Sequence, residues 1–296
     1  MDRPANHPVR LYTPPATLAG KFWDWRYLIL RRLTQFSILA LFLGTARFGW
    51  EIAGRPLLSG NLSASELLGV LPMADPFAVL QQLLTRHLLE SEVLIGAAIV
   101  MGVYFLIGGR TFCAWVCPVN PVTDFAGWLR NKLRIPNMFW IPRQLRYWVL
   151  ALALVLSALL GVAAFEWVSP ISLLHREIIY GAGLGLTAVA GIFLFDLLVE
   201  KHGWCGHLCP LGAFYALLGR FALLRVRFDD PGCTRCGECV RVCPEPKVLD
   251  FKLAAQNGLI ISGACSNCAR CIPICPEGSL KFGLRVRAPI TPNHGG

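Results

Sequence analysis

The chain has 296 residues, of which 55% are hydrophobic and only 16% are charged, and its mean hydropathy is +0.52. This composition is too apolar for a soluble protein of this length, so it indicates a membrane protein. A formal net charge of +10 can also accompany nucleic-acid binding. No groove-reading motif supports that function here, and we expect no nucleic-acid partner.

Four apolar segments are long enough to cross the hydrocarbon core of a membrane, which takes roughly 17–25 residues. In chain order they occupy residues 33–50, 93–109, 147–165 and 178–195. The first is the weakest, since it carries Arg47 near its end, and a buried core helix is the alternative for it. Polar and basic residues precede it and no small-residue cleavage site follows, which favours a retained anchor over a cleaved signal.

The segments before, between and after these spans are alternately rich and poor in lysine and arginine. Segments 1–32, 110–146 and 200–296 are rich in them, whereas segments 51–92 and 166–177 contain few and hold more acidic residues. Basic segments remain on the cytoplasmic side of a membrane. The sequence therefore predicts a multi-pass protein with both termini in the cytoplasm and membrane lipid around it.

Two motifs of the form Cys-x3-Cys-Pro follow the second and the fourth apolar segment. They contain Cys113 and Cys117 in FCAWVCPVNP, and Cys205 and Cys209 in WCGHLCPLGA. The membrane region thus consists of two parallel repeats, each span–span–Cys-x3-Cys-Pro, which places both motifs on the same, positive side. Positions i and i+4 share one helix face, so each pair of thiols is expected to lie together.

These four thiols have two interpretations. They could be small buried side chains that pack helix ends against their neighbours. They could instead form an additional redox or iron site, as ligands of one iron or of an iron–sulfur centre, or as redox-active thiols. Two copies at matched positions favour the second interpretation, in which a two-fold axis along the membrane normal brings both pairs together.

The other eight of the twelve cysteines form two runs spaced Cys-x2-Cys-x2-Cys-x3-Cys-Pro. This is the bacterial ferredoxin run, whose fourth cysteine ligates the other cluster when two runs are present. We therefore expect two [4Fe–4S] clusters with crossed ligation. The first set is Cys233, Cys236, Cys239 and Cys275, and the second set is Cys265, Cys268, Cys271 and Cys243.

Zinc and disulfide bonds are the alternatives for these eight cysteines. Structural zinc sites use two separated pairs rather than runs of four, and the reducing cytoplasmic side disfavours disulfides. The expected fold class is membrane α-helical, with four transmembrane helices, plus a small α+β domain of the two-cluster bacterial-ferredoxin type. The expected domains are a cytoplasmic segment 1–32, a membrane domain 33–225, a ferredoxin-type domain 226–288 and a tail 289–296.

Longer stretches around the cysteines resemble a known family. They are RRLTQF, DPFAVLQ, TFCAWVCPVNPVTDFAGWLR, IPRQLRY, EWVSPISLL, FDLLVEKHGWCGHLCPLGAFY and the two ferredoxin runs, spread from about residue 31 to 276. They are similar to the NapH type, the polytopic ferredoxin-type subunit of the periplasmic nitrate reductase quinol dehydrogenase. The pattern is shared with a methylamine-utilisation ferredoxin-type protein and with larger regulators of nitrous-oxide respiration.

The resemblance implies an electron-transfer subunit of the bacterial inner membrane that oxidises membrane quinol. Electrons would pass through the iron–sulfur clusters to an extracytoplasmic iron–sulfur partner subunit and on to periplasmic nitrate reductase. A ferredoxin-type module for maturation or redox sensing is the alternative function. Clusters on the inner side and an acceptor on the outer side would lie across a hydrocarbon core of about 30 Å.

The sequence identifies no catalytic residue, but the two outer loops contain candidates for a quinol site. They are His87, Glu90 and Glu92 in the first loop, and Glu166, His175, Arg176 and Glu177 in the second. A protonatable pair at the membrane edge could accept the quinol protons, while an interfacial helix and a solvated loop are the alternative. Asp196, near the inner end of the fourth span, is expected at the membrane interface.

Overall fold

The structure is a computed structural model that describes residues 11–86, 88–181 and 183–285, with only the backbone described at Leu184. Helix α1 runs from Leu18 to Phe48. The Thr17 hydroxyl caps it by accepting a hydrogen bond from the Gly20 N–H, and Gly49, at φ 62°, ends it. Its 31 residues extend about 46 Å at 1.5 Å per residue. Within the described part of the chain, this is the one helix both long and apolar enough to cross a membrane.

Two small antiparallel sheets follow α1, in a region where the sequence revealed no strands. The first pairs β1 (Glu51–Ile52) with β2 (Arg55–Pro56), and the second contains β3 (Leu58–Gly60), β4 (Ala64–Leu67) and β5 (Leu71–Ala74). Strand β4 is central, with Ser59 opposite Glu66 and Ser65 opposite Met73. Strands this short carry too little alternation to be recognised from sequence.

The remaining helices that precede the ferredoxin-type domain come in order after β5. They are α2 (Pro76–Leu84), α3 (Ser91–Ile107), α4 (Thr111–Trp115), α5 (Asn120–Leu133), α6 (Leu145–Leu160), α7 (Ala164–Val168), α8 (Pro170–Tyr180), α9 (Leu184–Leu194) and α10 (Pro210–Gly219). Two π-helical segments, Phe195–Val199 and Trp204–Leu208, connect α9 to α10. Such segments often occur at functional sites, and the second contains Cys205.

Helices α3, α6 and α9 correspond to the second, third and fourth predicted spans, but two predicted bounds were wrong. Helix α6 ends at Gly161, at φ 66°, so the third segment stops before residue 165. The fourth segment is divided between the end of α8 and α9, because Gly181 and Gly183 both have left-handed backbones there. Hydropathy is continuous across such helix-ending glycines, whereas the backbone is not.

Helices α2 and α8 bring the predicted outer connections into the protein core. Each has a buried proline in its first turn, Pro76 and Pro170. The residues that follow, Phe77 and Ile171, belong to the same buried cluster as Leu211 at the start of α10. The connections expected outside the membrane therefore fold back toward the Cys-x3-Cys-Pro motifs.

The C-terminal part forms the expected α+β domain. Its elements are β6 (Leu224–Phe228), α11 (Glu238–Val242), a 3-10 turn (Pro246–Val248), α12 (Phe251–Asn257) and β7 (Leu280–Leu284). Strands β6 and β7 pair antiparallel with Val226 opposite Phe282. Val226, Ile260 and Leu280 are buried in a core that also contains cysteines of both runs. The Phe282 ring packs edge-on against Tyr27 of α1, with ring centroids 5.9 Å apart, so the domain contacts the first helix.

Candidate iron–sulfur centres

Both ferredoxin runs bend in the same way around their second cysteine. The residues flanking it have left-handed backbones: Arg235 at φ 54°, Gly237 at φ 82°, Asn267 at φ 48° and Ala269 at φ 60°. Left-handed residues in such loops turn successive N–H groups into one concavity, which forms many iron–sulfur sites. The Arg235 N–H accordingly donates to the Cys233 sulfur at 3.4 Å. The loops therefore fit iron–sulfur clusters.

The eight thiols of these runs lie in two groups, and each group mixes the runs. In one, Cys275 interacts electrostatically with Cys233 and Cys239. In the other, four thiols line a single cavity of about 20 Å³: Cys243, Cys265, Cys268 and Cys271. These are the sets expected for crossed ligation, while ligation itself stays a prediction. Burial raises the pKa of Cys239 to about 11, so bound iron would supply the positive charge that stabilises the thiolate.

Each Cys-x3-Cys-Pro motif straddles a helix end, so the two thiols of a pair do not share one regular helix face. Cys113 lies in α4 and Cys117 just beyond it. Cys205 lies in the π-helical segment, and Cys209 caps α10, where its sulfur accepts a hydrogen bond from the Gly212 N–H at 3.5 Å. The proline after Cys209 begins α10, as expected for a residue that suits the first helical turn.

The four thiols of these motifs line one cavity, which we call the four-thiol centre: Cys113, Cys117, Cys205 and Cys209. Its volume, about 20 Å³, equals that of the cavity lined by the second ferredoxin set. Ile171, from the predicted outer connection, and Phe165, which directly precedes that connection, also line it. In the described residues, no three His, Cys, Asp or Glu side chains are placed to hold a single metal ion. A cubane binds each thiolate to a different iron, so its ligands need not converge on one point.

A second cavity, of about 40 Å³, connects the four-thiol centre to the ferredoxin domain. Cys113 and Cys205 line it from one side and Cys268 from the other. The second ferredoxin set is thus the one beside the four-thiol centre.

A buried carboxylate, Glu245, ties the ferredoxin domain to both motifs. It pairs with Arg110, and at 2.9 Å with Arg146. Arg110 also donates to the carbonyls of Cys205 and Ala264, both at 3.0 Å. Burial alone would raise the pKa of Glu245, but the charges of Arg110 and Arg146 hold it below its usual value. The pairing therefore keeps the carboxylate ionised where the two parts meet.

A second buried carboxylate, Asp124 of α5, joins three arginines. It pairs with Arg32 and Arg270 and lies 3.9 Å from Arg31. Burial raises the pKa of Asp124, but the charges of Arg270 and Arg31 outweigh that and lower it overall. Since Arg270 precedes Cys271, this network fixes α1 and α5 against the second ferredoxin set.

Comparison with known proteins places these features in a family. The family described as a 4Fe-4S binding domain matches residues 92–136 and 182–229, and the one described as a 4Fe-4S dicluster domain matches residues 225–276. The chain is 47% identical over 247 residues to the methylamine utilization ferredoxin-type protein MauN of Methylorubrum extorquens, covering 83% of each chain. It is 45% identical over 236 residues to the ferredoxin-type protein NapH of Escherichia coli, covering 78% of this chain and 80% of that one.

The chain belongs to the NapH and MauN family of ferredoxin-type proteins. The resemblance found in the sequence is therefore confirmed, and the protein is a ferredoxin-type electron-transfer protein with 4Fe-4S binding domains. The two identities are so similar that they do not separate NapH from MauN. No solved structure gives a significant match.

The charged residues around the centres of this NapH/MauN-type chain were missed by sequence analysis. Arg110 lies three positions before Cys113, Glu245 lies two positions after Cys243, and Arg270 directly precedes Cys271. A signal was present, because charges are sparse in this chain and these stand at the edges of cysteine motifs. Their pairing could not be foreseen, since each partner comes from a distant part of the chain.

The outer-loop candidates for a quinol site have different surroundings, and Glu90 and Glu92 line one cavity of about 300 Å³. Glu166 accepts hydrogen bonds from the hydroxyls of Ser63 and Ser172. His175 is buried and packs edge-on against Phe42, with ring centroids 4.8 Å apart. His87 lies outside the described residues. Asp196, expected at the membrane interface, is instead fully buried, and accepts a hydrogen bond from the Trp204 N–H at 2.9 Å.

Proposed function

We propose that this protein is the membrane subunit of a quinol dehydrogenase that passes electrons from membrane quinol, through iron–sulfur clusters, to an extracytoplasmic iron–sulfur partner. The partner would supply periplasmic nitrate reductase. The observation that carries the proposal is the arrangement of the twelve cysteines. Three sets of four thiols lie in sequence from the ferredoxin domain into the membrane region, and small cavities connect the second set to the four-thiol centre.

Four membrane spans are part of the proposal, with α3, α6 and α9 joining α1. Helices α3 and α6 have 17 and 16 residues, so they extend about 26 and 24 Å, near the hydrocarbon thickness of about 30 Å. Their large apolar side chains point outward, with Met101 41% and Leu159 76% exposed. Contiguous apolar surface of this kind is rare on soluble proteins and supports contact with lipid.

The four-thiol centre is proposed to hold a third iron–sulfur cluster. Support comes from the family match, because residues 92–136 and 182–229 contain these four cysteines and none of the other eight. The two ferredoxin sets are proposed to hold one [4Fe–4S] cluster each. When bound, the clusters would accept and donate single electrons. The chain itself would contribute the cradling N–H groups and the buried arginines that offset the charge of the thiolates.

The fold also supports a route to the outer face. Ile171 belongs to the predicted outer connection and Phe165 directly precedes that connection, yet both line the four-thiol centre. An acceptor that docks on this connection would therefore lie closer to the centre than the full thickness of the membrane.

Reconstitution tests this function. In vesicles without oxygen, a quinol should reduce the clusters of the purified protein, and nitrate reductase should receive electrons only when the extracytoplasmic partner is added. Clusters that dithionite reduces but that quinol leaves oxidised would contradict a quinol dehydrogenase.

The proposed orientation, with both termini in the cytoplasm of the bacterial inner membrane, rests on the distribution of lysine and arginine. Reporters fused after residues 60, 140, 181 and 290 should report outside, inside, outside and inside. Residue 181 is chosen because Gly181 is exposed, whereas Pro170 is buried and a fusion there would disturb the core. An outside signal at residue 290 would overturn the orientation.

A maturation or redox-sensing module is the second candidate, since the identity to MauN proteins, 47% and 48%, is close to that to NapH proteins, 45% and 46%. The two functions differ in what fails when the chain is absent. A maturation module would leave its client enzyme without a metal or cofactor, whereas an electron-transfer subunit would leave a complete but unreduced enzyme.

A further inference from the structure

The structure contains a cleft of about 910 Å³ between α1, α5 and the ferredoxin domain. Small-molecule sites usually measure roughly 300–1,000 Å³ and combine apolar walls with a few polar groups. This cleft has that size, and it is separate from the outer loops in which a quinol site was expected from the sequence.

One part of its wall is aromatic and open on the outside of the helices, and charged side chains, among them Arg32, Arg241 and Arg270, line the rest. Trp25 of α1 is 58% exposed and Trp128 of α5 is 53% exposed, and both line the cleft together with Phe125. The Phe125 and Trp128 rings are stacked, with centroids 5.6 Å apart. Tryptophan is enriched where a membrane meets water. A molecule dissolved in the lipid could therefore reach the cleft from the inner membrane surface.

The cleft extends to the second ferredoxin set, since Cys243 and Cys268 both line it. A ring bound there would lie against the proposed ligands of one cluster. Of the three sets of thiols, this is the set that also adjoins the four-thiol centre. The cleft therefore opens on the middle of the proposed electron pathway.

His202 supplies a polar side chain to the cleft, and its backbone has an uncommon conformation. It is 7% exposed, has φ 54°, and lines the cleft where Gly127 lies against its ring. Positive φ outside glycine is uncommon and concentrates at functional sites. Burial lowers the pKa of His202 to about 4, even though Asp124 opposes the shift. The imidazole is thus neutral near pH 7 and can accept a hydrogen bond from a hydroxyl group.

We propose that this cleft binds the headgroup of membrane quinol, with one hydroxyl bonded to His202 and the ring between the aromatic walls and the second ferredoxin set. The inference rests on the proposed function and gives it a binding site. As its two hydroxyls become carbonyls, the quinol would lose two electrons, one to each ferredoxin cluster, and two protons, which would leave through the open mouth of the cleft. Quinol oxidation would then occur on the side of the ferredoxin domain, which accounts for the location of that domain.

The experiment is photolabelling of the intact protein in vesicles with an azidoquinone, with unlabelled decylubiquinol as competitor. Label should appear in peptides of α1 and α5 and disappear with the competitor. Leu28→Trp and Asn131→Trp fill the cleft from exposed positions, so each should lower labelling and raise the KM for quinol by about tenfold or more. His202→Asn, which tolerates a positive φ, should also raise the KM. Leu33→Trp, on α1 but outside the cleft, is the matched control.

Each contrary outcome has a distinct meaning. Label in residues 51–92 or 164–181, or cleft variants with an unchanged KM while the protein still oxidises quinol, would overturn the cleft and leave the function standing. Label in the cleft without quinol oxidation would overturn the function and leave the binding site. Label displaced by anionic phospholipid but not by decylubiquinol would assign the cleft to a lipid headgroup and overturn the proposal.

Discussion

The ferredoxin domain and the four-thiol centre each gather four cysteines, but they do so by different means. In the ferredoxin domain, a seven-residue stretch supplies three thiols of each set, and left-handed residues within it shape the cradle. In the four-thiol centre, two pairs from distant Cys-x3-Cys-Pro motifs meet through packing of the helices. Local loops can therefore form a site almost independently of the surrounding fold, whereas the four-thiol centre depends on the fold as a whole.

The two sites also differ in the groups that surround their thiols. The ferredoxin thiols lie in loops with N–H groups directed at sulfur, as at Cys233. The four-thiol centre is enclosed by apolar side chains such as Phe112, Phe165 and Trp204. Charged groups lie at its edge, where Arg110 and Arg146 donate to backbone carbonyls and Asp196 interacts electrostatically with Cys205. We expect changes at the centre to stop electron transfer, and changes in the loops to act on one cluster at a time.

The largest effect is expected from Cys113→Ser and Cys205→Ser. Serine is close in shape to cysteine but a poor ligand for iron, so each variant should abolish quinol-dependent reduction of the partner. Iron content should fall by about four atoms per protein, while the spectra of both ferredoxin clusters persist. Equal losses in both variants would indicate a shared site. Full electron transfer in the variant with all four cysteines changed to serine would exclude a functional role for the centre.

The next effect tests crossed ligation in the ferredoxin domain. Cys243→Ala should disturb the cluster held by Cys265, Cys268 and Cys271, because the fourth cysteine of a run ligates the other cluster. Electron paramagnetic resonance that separates the two clusters measures this directly. Cys275→Ala is the matched control and should disturb the other cluster. The assignment would be wrong if each variant changed only the cluster of its own run.

A smaller effect is expected where the two regions meet. Glu245→Gln would leave Arg110 and Arg146 buried without their charge partner, and breaking a buried pair in this way costs about 3–5 kcal/mol of unfolding free energy. Glu238→Gln removes a pair with Arg241, which is 71% exposed, and should cost less than about 1 kcal/mol. Thermal unfolding in detergent compares them. Similar losses for both variants would show that Glu245 does not hold the regions together.

The same carboxylate predicts a dependence on pH. The folded-state pKa of Glu245 is below its usual value. Its contribution to the free energy of unfolding is therefore complete above the pKa that the same carboxyl group has in the unfolded chain. It is lost as the pH falls through the folded-state pKa. The stability difference between the native protein and Glu245→Gln should therefore shrink on acidification. A difference that grew toward low pH would contradict an ionised carboxylate at this position.

The smallest effect is expected from the left-handed residues in the loops of the ferredoxin runs. Gly237 has φ 82°, and a methyl group there would contact nothing within 4 Å, so Gly237→Ala tests backbone strain alone. It should destabilise the ferredoxin domain by about 1–2 kcal/mol and speed the loss of its clusters. Gly102→Ala in α3 has equally open space without a positive φ and should be neutral or stabilising. Opposite signs for the two would identify the left-handed backbone as the cause.

The amino-acid sequence alone determined the family, the two ferredoxin runs and the existence of apolar helices. These features are encoded locally, because cluster ligands follow a fixed spacing and apolar residues recur along a helix. Hydropathy failed where glycines end helices, at Gly161 and Gly181, since those residues interrupt the backbone without interrupting the apolar character. It also missed β3, β4 and β5, which are too short to show a period.

Only the tertiary structure decided how distant residues meet. It brought Cys113 and Cys205 to one cavity, and it placed the second ferredoxin set beside them. It folded the outer connection inward, so that Ile171 lines the same cavity as the cysteines. It also paired Glu245 with arginines from two other segments. The physical reason is that a buried charge or a shared ligand site depends on the separation of atoms in space, and a linear pattern specifies only the separation of residues along the chain.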